Sequence, residues 1–115
     1  MIEKSLIARL STLVDGRVFF GVAPADAAQP RLVIQTIGSD TGFTLAGWDG
    51  SKDLTIQLDA WGESFLQALT LADEVFNAMT ADGADFTTGS ADRLPDVFEN
   101  DTNLFSVSWE YTLQP

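Results

Sequence analysis

The sequence predicts an α+β fold: a two-layer sandwich with two helices packed on one face of a largely antiparallel sheet of four to five strands. Three observations carry this. Apolar residues recur at helical spacing in two stretches, residues 2–14 and 65–79. Apolar and polar residues alternate along most of residues 54–61 and 104–113, as half-buried strands require. The order helix, strand, strand, strand, helix, strand, strand, with mostly short connections, fits two layers around one core. A chain of 115 residues makes a single domain, residues 1–115.

The first helix is read from Ile2, Leu6, Leu10 and Leu13, with Ile7 and Val14 widening the stripe. Gly16 supplies a left-handed stop behind it. "RVFF" at residues 17–20 is a short strand, and "GVAPADAAQP" is a loop by its Gly and two Pro. "RLVIQTI" at residues 31–37 is rich in β-branched residues and reads as the second strand.

Residues 38–53, "GSDTGFTLAGWDGSKD", read as a long loop. Asp40, Gly42, Gly47, Asp49 and Gly50 favour mobility, and connections of this length in a compact domain are usually functional. Phe43, Leu45 and Trp48 stand out in it as apolar side chains in a Gly- and Asp-rich setting. They are either tucked beneath the loop or offered to another molecule.

In "LTIQLDAW", Leu54, Ile56, Leu58 and Ala60 share the packed face. Thr55, Gln57, Asp59 and Trp61 share the wetter one. Gly62 lets the chain turn, and Ser64 with Gln67 forms a capping box for the second helix. That helix is expected to bury Phe65, Leu69, Ala72, Phe76 and Met79. Trp61, on the wetter face, is left without a structural role. Residues 93–99 form a weak strand, broken by Pro95 and therefore at an edge. "ENDTN" turns the chain into the last strand, where Phe105, Val107, Trp109, Tyr111 and Leu113 share one face.

The net charge is −11, with −2 in residues 1–60 and −9 in residues 61–115. Scattered bases on so acidic a chain do not grip a phosphate backbone. With no cysteine, disulfides, thiolate metal sites and thiol catalysis are excluded. With no histidine, the usual acid–base catalyst is missing. Asp82, Asp85 and Asp92 lie among Gly and Ser but lack calcium-loop spacing, and no phosphate-cradling or nucleophile-elbow motif occurs. The sequence therefore points to a non-enzymatic module without cofactor or metal. No apolar run of about 18 residues marks a membrane span, and no signal peptide is read.

The whole pattern resembles the tail terminator, or tail completion (tail-to-head joining), proteins of long-tailed bacteriophages. The residues that carry the resemblance are "LSTLVDGRVFF", "QPRLVIQTIGS", "DLTIQLDAWGESFLQALTLADEVFNAM" and "LFSVSWEYTLQP". The strand "QLDAW" running into "ALTLADEV" is the most distinctive part. The resemblance implies a structural virion protein located in the tail or neck and assembled in the host cytoplasm. It further implies a hexameric ring that caps the tail tube protein, ends its polymerisation and meets a head-side connector or stopper. DNA would pass through the lumen without specific binding. In that setting Phe43, Leu45, Trp48 and Trp61 are the candidate partner contacts, and Asp82, Asp85 and Asp92 are candidates for an acidic lumen or rim. Two alternatives stand beside it. One is another neck or minor tail component. The other is a small ligand-binding domain that clamps its ligand between Trp48 and Trp61.

Overall fold

The computed structural model describes the chain except residues 1, 25–27, 82 and 84, with the backbone alone at residues 49–51. Helix α1 (Ile2–Leu10) passes through a 3-10 turn (Ser11–Leu13) and stops at Asp15 and Gly16, both at positive φ. Strands β1 (Val18–Phe20), β2 (Arg31–Thr44) and β3 (Gly47–Gly62) follow. Helix α2 (Phe65–Thr80) leads to β4 (Thr87–Arg93), β5 (Val97–Glu99) and β6 (Leu104–Gln114). The sheet order is β1-β2-β3-β6-β4, with β5 also on β6. Every pairing is antiparallel except β1 with β2. The architecture is the expected α+β one, with both helices on one face. Among the described residues no helix is long and apolar enough to cross a membrane.

Among the described residues the sheet has six strands where four to five are expected. The additional one is β4, "TTGSADR", whose side chains are mostly exposed and show no apolar alternation. An edge strand is held by its backbone ladder to one neighbour, so its sequence need not carry that signature. Pro95 falls between β4 and β5 on this edge, where a missing N–H breaks no central ladder.

The core lies between the layers. Leu6, Leu10 and Val14 meet Leu71, Val75 and Met79 from α2, and Leu32, Ile34, Ile56, Leu58, Val107, Tyr111 and Leu113 from the sheet. The buried stripe of α2 differs from the expected one. Ala68, Leu71, Ala72, Val75 and Met79 face the sheet, whereas Leu69 and Phe76 flank it and Phe65 is exposed. The two small alanines let the helix axis approach the strands. The bulky Phe76 packs sideways on Trp109, with ring centroids 4.9 Å apart.

The strand-to-helix corner is built as the sequence predicts, with one change of reason. The Ser64 hydroxyl accepts from the Gln67 amide at 3.1 Å, and the Gln67 side chain accepts from the Glu63 amide at 2.7 Å. Gly62 does not have a positive φ. A Cβ there would stand 2.8 Å from the Ala68 amide nitrogen, so glycine is required by the close approach of the first turn of α2.

Tyr111 is wholly buried, its hydroxyl has no hydrogen-bond partner among the described residues, and burial pushes its pKa above the ordinary value of 10.0. Tyr111→Phe is therefore expected to raise stability by about 1 kcal/mol in urea melts, since an orphaned polar group is removed without loss of packing. The pH dependence follows from linkage. Above pH 10 the unfolded chain releases the phenolic proton while the folded chain retains it, so stability falls there in the parent and falls less in Tyr111→Phe. A variant of lower stability would mean that the hydroxyl has a partner in solution.

Candidate functional site

The largest departure from the expected fold concerns residues 38–53, which are not a mobile loop. β2 and β3 continue through them as a hairpin, with Asp40 opposite Asp53, Thr41 opposite Lys52 and Phe43 opposite Trp48. Leu45 and Ala46 make the turn and Gly47 supplies φ +109°. The Thr44 hydroxyl fastens the turn, accepting from the Ala46 amide at 3.2 Å and donating to the Gly47 carbonyl at 3.3 Å. Register shifts between Thr36 and Gly38 and between Thr41 and Phe43 accommodate glycines that argue against a regular strand.

The hairpin is an arm. β6 pairs with β3 only from Leu54 onward, and β1 pairs with β2 only as far as Ile34. Seven residues of β3 therefore lie beyond the sheet, a reach of about 23 Å at 3.3 Å per residue. The molecule is 52 × 25 × 23 Å, and its radius of gyration of 15.1 Å exceeds the roughly 13 Å of a compact chain this long. At the tip Phe43, Leu45 and Trp48 come together, all exposed, with Trp48 at 57% and Phe43 at 72%. The three arm residues singled out in the sequence thus form one apolar patch.

Trp61 belongs elsewhere. It is half-buried at the opposite end of β3, thirteen residues from Trp48, or about 40 Å along the strand. No single ligand is clamped between the two tryptophans, which removes the geometry of the ligand-binding alternative. Trp61 lines a cleft of about 180 Å³ with Val22, Arg31, Val33, Gln35 and Asp59.

That cleft lies on the helix-free face of the sheet, which is less wet than alternation suggests. Asp59 is only 6% exposed, and Ser106 and Ser108 are buried beside it. The Asp59 carboxylate accepts from Ser108 at 2.6 Å, from Gln57 at 2.8 Å and from Gln35 at 3.5 Å. The hydroxyls of Ser106 and Ser108 are 3.2 Å apart. These donors make the buried carboxylate a structural tie across β2, β3 and β6. Further along the same face, Asp92 stands directly opposite Glu110 and Asp40 opposite Asp53. Like charges so placed destabilise the isolated sheet.

The three candidate rim acids have different fates. Asp92 is exposed on β4. Asp85 is ion-paired with Arg9, whose guanidinium also donates to the Ala78 carbonyl at 3.3 Å and lies 4.1 Å from the Phe86 ring centre. It fastens α1 to the end of α2, a role with no sequence signal because the partners are 76 residues apart. Asp82 lies outside the described residues. Among the described residues no group of three or more carboxylates is placed to hold a metal.

A search of curated proteins finds no match. The chain is similar to one in the solved virion of a native gene transfer agent particle, at 15% identity and a TM-score of 0.54, with 92% of this chain and 84% of that chain covered. At that identity the likeness is one of fold. The family model described as tail completion protein gp17 matches residues 5–113, nearly the whole chain, from the middle of α1 to the end of β6. On that match, the chain belongs to the tail completion protein gp17 family.

Proposed function

We propose that this phage tail protein forms a six-membered ring at the head-proximal end of the tail tube. There it ends polymerisation of the tube and joins it to the head-side connector, with DNA passing through the ring. The observation that carries the reading is the arm. A two-stranded ribbon with three exposed apolar side chains at its tip is unfavourable for a free monomer and suited to an anchor on another protein. The tip Phe43, Leu45 and Trp48 is the contact to the tube protein or the connector, and family membership supports a partner of that kind.

The helix-free face is the proposed channel wall. Asp92, Glu110, Asp40 and Asp53 lie on it, and carboxylates lining a channel repel DNA phosphates in transit. Water and ions in a channel screen such charges over roughly 8–10 Å, which a dry protein interface does not. Asp85, being paired with Arg9, is not assigned to the wall.

Electron microscopy of tails assembled with this chain tests the reading. The expected image is a six-fold ring at the tube end nearest the head, with the helix-free face turned inward. Density for the chain along the tube, at the distal tip or elsewhere in the neck would overturn it in favour of another tail component.

A further inference from the structure

We infer that neighbouring copies join edge to edge, the β1 edge of one copy meeting the β5 edge of the next through Arg31 on one side and Glu99 or Asp101 on the other. The inference rests on the ring reading above and deepens it by naming the contact. β1 and β5 lie at opposite ends of the sheet, each is three residues long, and each pairs with an inner neighbour only. Two different surfaces on one chain make a head-to-tail contact, the kind that closes into a ring when the rotation allows.

Charge selects this pairing over a symmetric one. Beside β1 stand Arg17 and Arg31. Beside β5 and in the turn after it stand Asp96, Glu99 and Asp101. Two β5 edges would place acids against acids and two β1 edges would place bases against bases, whereas the mixed contact places opposite charges together. Existing ion pairs narrow the choice of residues. Arg17 lies 3.9 Å from Asp15, and Asp96 is held by Arg93 at 2.8 Å. Arg31 has no ion pair among the described residues. Among the described residues its Nε is buried without a hydrogen-bond partner, and Nη1 reaches only the Pro24 carbonyl, at 3.4 Å. A guanidinium so under-used is completed by a carboxylate from outside the chain.

The faces agree as well. Arg31 pairs with Trp61 and Glu99 pairs with Leu104, one residue before Phe105, which is the partner of Gly62. Alternation from the buried Leu32 and the core-packed Phe105 puts both Arg31 and Glu99 on the helix-free face. Phe20 and Phe98 both lie on the other face, and both are exposed. A sheet continued from one copy to the next therefore brings aromatic to aromatic on one side and base to acid on the other. Val22 and Val97, also exposed, extend the apolar part of each edge.

Because the chain has no cysteine, cross-linking tests this directly. Val22→Cys chains and Phe98→Cys chains are mixed, free and in assembled tails, and treated with a short bis-maleimide linker. Mixed dimers are expected to exceed both kinds of self-dimer about tenfold. Arg31→Glu in the first chain alone, or Glu99→Arg with Asp101→Arg in the second alone, is expected to lower the mixed product roughly tenfold or more. The two sets of reversals together are expected to restore it, which mere misfolding would not do, and thermal melts of each variant check the fold. Self-dimers equal to or above the mixed product in both settings, or reversals without effect, overturn the inference. If tails show the six-fold ring while cross-links fall elsewhere, only the edge assignment fails. If no ring is seen at the tube end, the ring reading itself fails.

Discussion

Replacing Phe43, Leu45 and Trp48 together with serine is expected to leave a folded chain that, on the proposed function, no longer joins tails to heads. The three side chains lie at the arm tip, remote from the core between the layers. Their loss removes one cross-strand aromatic pair, worth roughly 0.2–1 kcal/mol. The urea midpoint should shift correspondingly little. Assembly should respond very differently, because a few apolar anchors carry most of the energy of such contacts, commonly about 2 kcal/mol or more each. Losing three, about 6 kcal/mol in sum, corresponds to a drop in joined particles on the order of ten-thousandfold, read as infectious titre or as the ratio of joined to free tails. Normal joining by the triple variant would remove the arm from the interface. Unfolding of the variant would mean that the tip is part of the core.

The second large effect is expected at the corner between β3 and α2. Gly62→Ala introduces a Cβ 2.8 Å from the Ala68 amide nitrogen and 3.0 Å from two atoms of Gln67. The obstructing nitrogen belongs to the backbone of the helix and cannot rotate aside. Overpacking of this kind costs about 1–3 kcal/mol, and it falls on the turn whose cap Ser64 and Gln67 provide. Equilibrium urea unfolding measures it, with Gly38→Ala as the control, since a Cβ at Gly38 meets nothing within 4 Å. Gly62→Ala should lower the midpoint clearly and Gly38→Ala should not. Equal effects would mean that the helix start moves freely.

Much of this was legible in the sequence where a single periodicity decided the outcome. Leu54, Ile56, Leu58 and Ala60 alternate onto the helices as expected, and Ser64 with Gln67 caps α2. The left-handed stop at Gly16 is present with φ +81°. The arm reads as a loop in the sequence because its glycines and aspartates are typical of one. Its strand character comes from pairing between its own two halves, which composition does not display. The rotation of the α2 stripe has a similar cause, since counting large apolar residues overlooks the alanines that permit close approach. At the candidate site, Phe43, Leu45 and Trp48 were recognisable by type, as bulky apolar residues in a polar setting. Their separation from Trp61 depends on strand length, which the loop reading concealed. The bond between Arg9 and Asp85 and the burial of Asp59 depend on contacts distant in sequence, and no local pattern announces them.

The continuity of β3 has a mechanical consequence. The strand runs from the turn at the arm tip to the corner beneath α2 as one unbroken element, Gly47–Gly62. A pull on a docked tip along the arm therefore loads β3 in shear, with no hinge of loop between tip and core to absorb the displacement. From Leu54 to Gly62 the strand is paired with β6 at every position, and its other side is paired with β2. Hydrogen bonds lying across the direction of pull share the load in parallel, whereas bonds peeled from one end break in turn. Tension applied at the tip is thus delivered to the middle of the sheet, where the ladder is longest and both faces of the strand are packed or hydrogen-bonded. The arm acts as a tie rod anchored in the centre of the fold.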